Sequence, residues 1–300
     1  MKSIKVLSTI MALTCSVLVY GQGYTFKVLA NKGTNQIKSG GSWQPLKTGA
    51  TLNNADEVKI SENAYLGLMH SGGRTLEWKE AGTFKVSDLA SKVSAGTSVA
   101  GKYADFLASK MSAEGQKNRL SATGAVHRAL SDASINVHVP ASVQIYQDNA
   151  ILKWDALEGD NIVYKVVLTN IFEDVLVSEE TKETFFELNM KDEKIKSESV
   201  VLLSVSTAND EKVKSETIAI KKLPAEDVKK VSSGLQELMM DVKDKTALNK
   251  YILAGFYEEN NLLVDALTSY EEAIKLAPDV DHYKEAYEEF IIRNGFKASN

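Results

Sequence analysis

The chain has 300 residues, of which 44% are hydrophobic and 25% are charged, and this composition excludes wholesale disorder. Lys and Arg number 35 against 40 Asp and Glu, and the net charge of −5 excludes nucleic acid as the main partner, because phosphate binding needs a basic surface. A single cysteine excludes a disulfide framework and a cysteine-based zinc site, and four scattered histidines leave little room for a histidine metal cluster.

The N-terminus has the pattern of an export signal. Lys2 and Lys5 precede an uncharged, mostly apolar run at residues 6–20, which is shorter than the roughly 20 residues of a membrane-spanning helix. Residues 1–21 are therefore predicted to be a cleaved signal peptide, and no transmembrane segment is expected after cleavage. The alternatives are an uncleaved anchor and lipidation at Cys15. Because the sequence has no Asn-x-Ser/Thr glycosylation site, we expect a bacterial protein that is periplasmic or secreted.

Prolines mark the predicted domain boundaries, since proline is excluded from helix interiors and central strands. Pro140 separates a helical stretch from a strand-rich one, and Pro224 separates that strand-rich stretch from a helical C-terminus. The sequence thus predicts a multidomain protein of β plus α class. Its parts after the signal are a β sandwich or barrel at residues 22–92, a helical connector at 93–136, an antiparallel β sandwich at 137–223 and helical hairpins at 224–300.

The first β domain shows alternating hydrophobic residues between turn signals. Phe26 and Val28 share one strand face, and Leu66 and Leu68 share another. Paired Gly or Asn residues separate these strands and tolerate positive φ, as at Gly72 and its neighbour. A compact β sandwich or barrel is the fold that this pattern predicts.

The order of residues in this domain resembles that of the FecR-type domain of bacterial envelope proteins. The resemblance lies in the segments at residues 43–52, 56–60, 64–68, 73–76 and 81–86. It implies a β fold and a setting in the cell envelope. The best-known members pass a transport signal to a sigma-factor system through a cytoplasmic segment and a transmembrane helix, and this chain shows neither after the signal peptide.

The connector contains an apolar stripe at helical spacing. Tyr103, Phe106 and Leu107 belong to this stripe, and Ser98 is a candidate N-cap residue. We expect the helix to pack along one of the β domains. His127 lies beside a basic residue with no nucleophile or carboxylate nearby in sequence, which favours an exposed position over a catalytic one.

The second β domain shows seven short hydrophobic segments separated by polar turns. Trp154, Tyr164, Val166 and Leu168 resemble the core of a fibronectin type III or related immunoglobulin-like domain. This resemblance implies an antiparallel sandwich with Trp154 and Tyr164 at its buried centre. The alternative is that the two rings form an exposed platform for a sugar.

The C-terminal part has the spacing of a tetratricopeptide repeat, in which two antiparallel helices alternate large and small residues. The residues that fill these positions are Leu253, Ala254, Tyr257, Ala266, Tyr270, Ala273 and Pro278. Lys250 departs from the motif, which often has tryptophan there. Helical patterns before and after this hairpin are predicted to complete a four-helix stack. Such a stack either binds peptides in a groove or only docks on the sandwich, and both alternatives are kept.

The sequence shows no Gly-rich phosphate loop, Gly-x-Ser-x-Gly elbow or His-Glu-x-x-His motif. Asp279, Asp281 and His282 form a weak candidate metal site, and no cofactor is expected.

The sequence favours a non-enzymatic exported adaptor or scaffold that binds protein partners in the envelope. The alternative is a carbohydrate- or peptidoglycan-binding protein, which an exposed row of aromatic rings would favour. An enzyme of unfamiliar type would instead need a pocket that gathers His127 with carboxylates.

The exposed row of aromatic rings that would favour a carbohydrate-binding protein would consist of Trp43, Tyr65 and Trp78.

Overall fold

The computed structural model describes residues 23–94, 96–97, 99–112, 135–242 and 245–297. In these residues antiparallel sheets come first and helices dominate the C-terminus, so the coarse prediction of a mixed β and α protein is confirmed. The predicted signal peptide, Cys15, Ser98 and His127 lie outside the described residues. No helix in the described part of the chain combines the length and the apolar character needed to cross a membrane.

The N-terminal unit contains eight strands in two antiparallel four-stranded sheets. The sheet orders are β4-β1-β6-β7 and β3-β2-β5-β8. Phe26, Val28, Leu66 and Leu68 are buried between the sheets, as their alternation predicts. The strands are β1 (Phe26–Lys32), β2 (Gln36–Lys38), β3 (Trp43–Pro45), β4 (Thr51–Leu52), β5 (Glu57–Ile60), β6 (Tyr65–His70), β7 (Thr75–Trp78) and β8 (Gly82–Lys85).

The middle unit is a seven-stranded sandwich. Its sheets have the orders β12-β11-β14-β15-β9 and β10-β13. Trp154 and Tyr164 are buried and meet edge to face with ring centroids 5.5 Å apart, which confirms the prediction that they form the buried centre. The strands are β9 (Ser142–Ile145), β10 (Asn149–Lys153), β11 (Tyr164–Thr169), β12 (Val175–Thr181), β13 (Phe185–Asn189), β14 (Val200–Thr207) and β15 (Ile218–Lys222).

One strand pair departs from the predicted antiparallel arrangement. Strand β9 pairs in parallel with β15, with Ile220 opposite Val143. These strands are distant in sequence, so no short hairpin connection dictates their relative direction. The expectation of a purely antiparallel sandwich was therefore wrong at this edge.

Six helices are described. Helices α1 (Val86–Ala90) and α2 (Val99–Lys110) follow the N-terminal sheets, and the others come after the sandwich. The latter are α3 (Ala225–Met239), α4 (Ala247–Glu259), α5 (Leu263–Leu276) and α6 (Asp281–Arg293). Helices α4, α5 and α6 pack in succession, and the turn between α4 and α5 closes at Asn261 with a φ of 57°.

Helix α2 packs chiefly on helix α4, with fewer contacts to strand β6, so the expectation that it would lie along a β domain was incomplete. Tyr103 meets Phe256 edge to face with ring centroids 5.3 Å apart. Leu107 lies over Gly255, where a Cβ atom would come within 2.8 Å of its Cγ. Gly255 therefore permits a close approach that any side chain would obstruct.

The first turn of helix α2 is capped from a distant part of the chain. Asp241, which follows helix α3, accepts hydrogen bonds from the amide and hydroxyl of Thr97, both at 2.7 Å, and from the amide of Ala100 at 3.3 Å. The amide of Ala100 lies in the first turn, where a helix has no internal acceptor for it, and Thr97 lies just before the helix. The end of α3 is thereby tied to the start of α2.

The helical unit occupies the centre of the molecule, because one hydrophobic core joins it to both β units. Sheet β4-β1-β6-β7 is buried on its second face as well, where Leu29, Tyr65 and Met69 belong to this larger core. The hydroxyls of Tyr65 and Tyr283 lie 2.7 Å apart across the boundary. Glu77 accepts a hydrogen bond from the amide of Leu248 at 2.7 Å, which satisfies the first turn of α4.

Candidate binding cleft between the sandwich and the helices

A cleft of about 1250 Å³ opens between the sandwich and the helical unit. Its walls are the turn from β9 to β10, strand β13 and helices α3, α4 and α5. The residues that line this opening are together called the cleft. They are Tyr146, Gln147, Asp148, Asn149, Ala150, Ile151, Glu187, Leu188, Asn189, Val228, Leu235, Lys245, Lys250, Tyr257, Thr268, Glu272, Lys275 and Leu276.

The wall of the cleft is held by one buried carboxylate. Asp265, in the first turn of α5, accepts hydrogen bonds from the amides of Tyr146 at 3.0 Å and Gln147 at 2.7 Å. One turn later, Thr268 accepts a hydrogen bond from the amide of Ile151 at 2.9 Å. Side chains of helix α5 thus accept hydrogen bonds from backbone amides in and before β10, as the carbonyls of a neighbouring strand would. These bonds fix the turn from β9 to β10 against the helix.

Burial sets the protonation of this carboxylate. It raises the pKa of Asp265 to about 6, although the two amide hydrogen bonds act in the opposite direction. The amide donors favour the ionised form, and the apolar surroundings favour the neutral form. Asp265 therefore titrates at a higher pH than an exposed aspartate, and it is the group that links α5 to the sandwich.

The charges of the cleft leave an excess of unpaired cations. Lys250 is paired with Glu272 at 2.5 Å, and Asp148 is paired with a lysine outside the cleft at 2.7 Å. Lys245 and Lys275 are exposed and make no ion pair within the described part of the chain. Glu187 is the cleft carboxylate that is likewise unpaired there. Within the described residues, the cleft therefore has two unpaired ammonium groups and one unpaired carboxylate.

Apolar surface accompanies these charges. Val228 and Leu276 are 36% and 47% exposed, although both are large aliphatic side chains. The rings of Tyr146 and Tyr257 lie beside each other with centroids 6.3 Å apart. The Nε2 atom of Gln147 is buried and has no acceptor with full hydrogen-bond geometry in the described structure, although its side chain helps to lower the pKa of Asp265. Such a lining suits a ligand that has both apolar groups and oxygen acceptors.

The predicted tetratricopeptide positions mostly lie inside the helical packing. Ala254, Ala266, Tyr270 and Ala273 are buried in it, Leu253 is half-buried, and Pro278 lies in the turn between α5 and α6. Tyr257 is the position of this motif that lines the cleft. The motif thus identifies residues that pack between the helices. Sequence reasoning did not identify Lys245, Lys275 or Gln147 as residues of the cleft. Sequence reasoning also missed Asp265, which could have been identified as a lone carboxylate among the apolar residues of a predicted amphipathic helix.

The residues of the candidate metal site do not converge. Asp279 pairs with Lys32, and Asp281 lies 3.4 Å from Lys284. His282 is buried against the ring of Tyr251 with centroids 5.4 Å apart. Among the described residues, no group of three or more His, Cys, Asp or Glu side chains has the geometry to hold a metal ion.

The candidate row of aromatic rings does not form. Tyr65 is buried against helix α6, whereas Trp43 lies in the other sheet of the N-terminal unit. Trp78 is half-buried and meets Phe84 edge to face with centroids 5.1 Å apart. These rings therefore provide no continuous exposed platform.

His138 links the sandwich to helix α6. Its Nε2 atom donates to Asp155 Oδ1 at 2.9 Å, and its Nδ1 atom lies 2.6 Å from the hydroxyl of Tyr287. Burial acts to raise the pKa of Asp155, but hydrogen bonds from His138 and Asn136 outweigh it and hold that pKa below its usual value. His138 and Tyr287 are buried, whereas the carboxylate of Asp155 is 39% exposed, so the chain of hydrogen bonds reaches solvent at Asp155.

The cleft presents lysines, amides and apolar side chains to a ligand. Comparison with models of known protein families and with curated protein sequences finds no match for this chain.

Proposed function

We propose that this protein is a non-enzymatic exported adaptor of the bacterial cell envelope that binds a protein partner in the cleft. The observation that carries the proposal is the cleft of about 1250 Å³, which combines exposed aliphatic side chains with unpaired lysines. A polypeptide segment supplies apolar side chains, backbone carbonyls and carboxylates in one ligand. Each of these groups has a counterpart in the lining.

The rigidity of the cleft supports this function. Asp265 and Thr268 fasten one wall to the helix, and one core joins the helices that form the other wall. A site that is formed before binding loses little conformational entropy when the partner arrives. The cleft is therefore suited to capture a short segment of another protein.

The proposal also includes the location of the protein and the families of its domains. The predicted signal at residues 1–21 and the FecR-type pattern of the N-terminal unit favour the periplasm or the cell exterior. A fibronectin type III-like middle domain is supported by the seven strands around Trp154. A tetratricopeptide-like helical domain is supported by the α4–α5 hairpin with buried Ala254 and Ala266.

A carbohydrate or peptidoglycan ligand is the second candidate. The half-buried ring of Tyr146 lies in the cleft together with the amides of Asn149 and Asn189, which suit sugar hydroxyls. The absence of an exposed row formed by Trp43, Tyr65 and Trp78 leaves this cleft as the place where such a ligand would bind.

The test is affinity capture from envelope extracts with the protein beginning at Gln22. Leu276→Lys places a charge on the apolar side of the cleft, and Met240→Lys makes the same change at a residue that is 51% exposed and outside the cleft. We expect Leu276→Lys to lose proteins that wild type and Met240→Lys both retain, as identified by mass spectrometry. Retention of the same proteins by all three would contradict the proposal.

A parallel sedimentation assay with purified peptidoglycan separates the two candidates. Binding of peptidoglycan that Leu276→Lys abolishes, without any loss of captured protein, would favour the second candidate instead. The point variants are preferred to deletion of the helices, because residues 225–297 share one core with both β units.

A further inference from the structure

The turn between β11 and β12 displays apolar side chains to solvent. Ile171, Phe172 and Val175 are 60%, 77% and 63% exposed. They are three of the eight large hydrophobic side chains that are exposed among the described residues, and they lie within five positions of one another. We call residues 170–175 the tip. Contiguous exposed apolar groups of this kind commonly mark an interaction site.

The tip is held in this conformation by its own hydrogen bonds. The side-chain oxygen of Asn170 accepts from the amides of Phe172 at 2.9 Å and Asp174 at 3.0 Å, and its amide donates to the carboxylate of Asp174 at 2.9 Å. Glu173 adopts a φ of 68°, in the left-handed region. The apolar side chains are thus presented by an ordered turn at the end of the edge strand β12.

The tip and the cleft have complementary chemistry. The tip carries the carboxylates of Glu173 and Asp174 beside its apolar groups, and neither makes an ion pair within the described residues. The cleft carries Lys245 and Lys275 beside Val228 and Leu276, which are two more of the eight exposed hydrophobic side chains. Tip and cleft together expose five of these eight side chains, and their unpaired charges within the described residues are opposite in sign.

We propose that the tip of one copy of this chain inserts into the cleft of a second copy. The inference rests on the proposed function, because it names the protein partner that the cleft takes. Tip and cleft are different surfaces, so the contact is heterologous and each copy keeps one free tip and one free cleft. Copies joined in this way form a ring or an open filament. The acidic groups of the tip disfavour insertion into an anionic membrane as the alternative.

The test uses sedimentation velocity with the chain from Gln22 and three substitutions to lysine. Phe172→Lys changes the tip, Leu276→Lys changes the cleft, and Met240→Lys is the matched control at an exposed site outside both. Concentration is varied by about a hundredfold, because small contacts of this kind are weak. Circular dichroism and thermal unfolding check that each variant folds, and Lys275→Glu replaces Leu276→Lys if that variant does not.

The expected result is a distinctive pattern of masses. Wild type and Met240→Lys should grow beyond dimers as concentration rises, whereas Phe172→Lys and Leu276→Lys alone should stay monomeric. An equimolar mixture of Phe172→Lys and Leu276→Lys should form a dimer and nothing larger, because it contains one functional tip and one functional cleft per pair. An isologous contact would not give this complementation.

Several outcomes would overturn the inference. Wild type that stays monomeric throughout, a mixture without dimers, or loss of assembly in Met240→Lys would each do so. Flotation of wild type with vesicles of phosphatidylcholine and phosphatidylglycerol, lost in Phe172→Lys while wild type stays monomeric, would assign the tip to a membrane. Monomeric wild type that still captures envelope proteins through Leu276 would refute this inference and leave the proposed function intact.

Discussion

Replacing the buried carboxylate of Asp265 by an amide should change how the stability of the protein depends on pH. Burial raises the pKa of this group from 3.8 to about 6 in the folded protein. The folded protein therefore holds the proton more tightly than the unfolded chain does. The stability contributed by this group is fully present below pH 3.8 and is lost as the pH rises through about 6.

The size of the effect follows from the shift of the pKa. A change from 3.8 to about 6, at roughly 1.4 kcal/mol per unit, corresponds to about 3 kcal/mol. In Asp265→Asn the group cannot titrate. The free energy of unfolding of wild type minus that of the variant should therefore fall by about 3 kcal/mol between acidic and neutral pH.

The amide also turns a donor toward the amides of Tyr146 and Gln147, where the carboxylate now accepts two hydrogen bonds. This mismatch costs about 1–3 kcal/mol, but it does not vary with pH. Urea unfolding at a series of pH values, followed by circular dichroism, measures the difference. A difference between wild type and Asp265→Asn that stays constant from pH 3.5 to 7 would refute the reasoning.

Three further substitutions test other parts of the structure. Burial lowers the pKa of His282 from 6.5 to about 4. The stability that the neutral imidazole contributes is therefore present above pH 6.5 and is lost as the pH falls through about 4. In the same urea series, the free energy of unfolding of His282→Gln should rise relative to that of wild type by about 3 kcal/mol over this fall in pH. Gly255→Ala should destabilise the protein by about 1–3 kcal/mol, because its Cβ would lie 2.8 Å from Leu107 Cγ, whereas Gly101→Ala, with no atom within 4 Å, should be neutral or stabilising in thermal unfolding. Ala266→Glu places a carboxylate in a fully buried helix contact and should lower the unfolding temperature and protease resistance sharply.

Each of these predictions has an outcome that would contradict it. A flat difference between wild type and His282→Gln would show that the imidazole is hydrated in the folded state. Equal unfolding temperatures for Gly255→Ala and Gly101→Ala would show that α2 does not approach α4 closely. Unchanged unfolding and proteolysis in Ala266→Glu would remove the predicted helix–helix contact.

The strands of both β units were predictable because local patterns determine them. Phe26 and Val28 flank a lysine, and one glycine of each pair, Gly40 and Gly73, adopts a positive φ in the turn between strands. The burial of Trp154 and Tyr164 was expected from the resemblance to a fibronectin type III core. Proline could be used to place the boundaries near 140 and 224, since it is excluded from the interiors of both kinds of element.

The association of the units was not predictable, because it depends on contacts between distant parts of the chain. Tyr65 faces away from its own sandwich core, yet it is buried by Tyr283. The cap of helix α2 comes from Asp241, which is 144 residues away from Thr97. No periodicity within a segment specifies such partners.

The cleft was missed for the same reason. Lys245, Lys275 and Gln147 look like ordinary surface residues in the sequence, and they acquire a shared role only where α5 meets the sandwich. Asp265 gave the one local signal, a carboxylate beside buried Val264 and Ala266. Its partners, two backbone amides of the turn from β9 to β10, carry no side-chain signature.

Site-specific photo-crosslinking in the cells that produce the protein tests the central claim most directly, because it identifies the molecules that contact the cleft. A photoreactive phenylalanine analogue at Leu276 is compared with the same analogue at Met240, which is exposed but outside the cleft. The account predicts a protein adduct from Leu276 that is absent from Met240, and within it a second copy of the chain joined at residues 170–175. Crosslinks that appear equally from both positions, or no protein adduct from Leu276, would contradict the account.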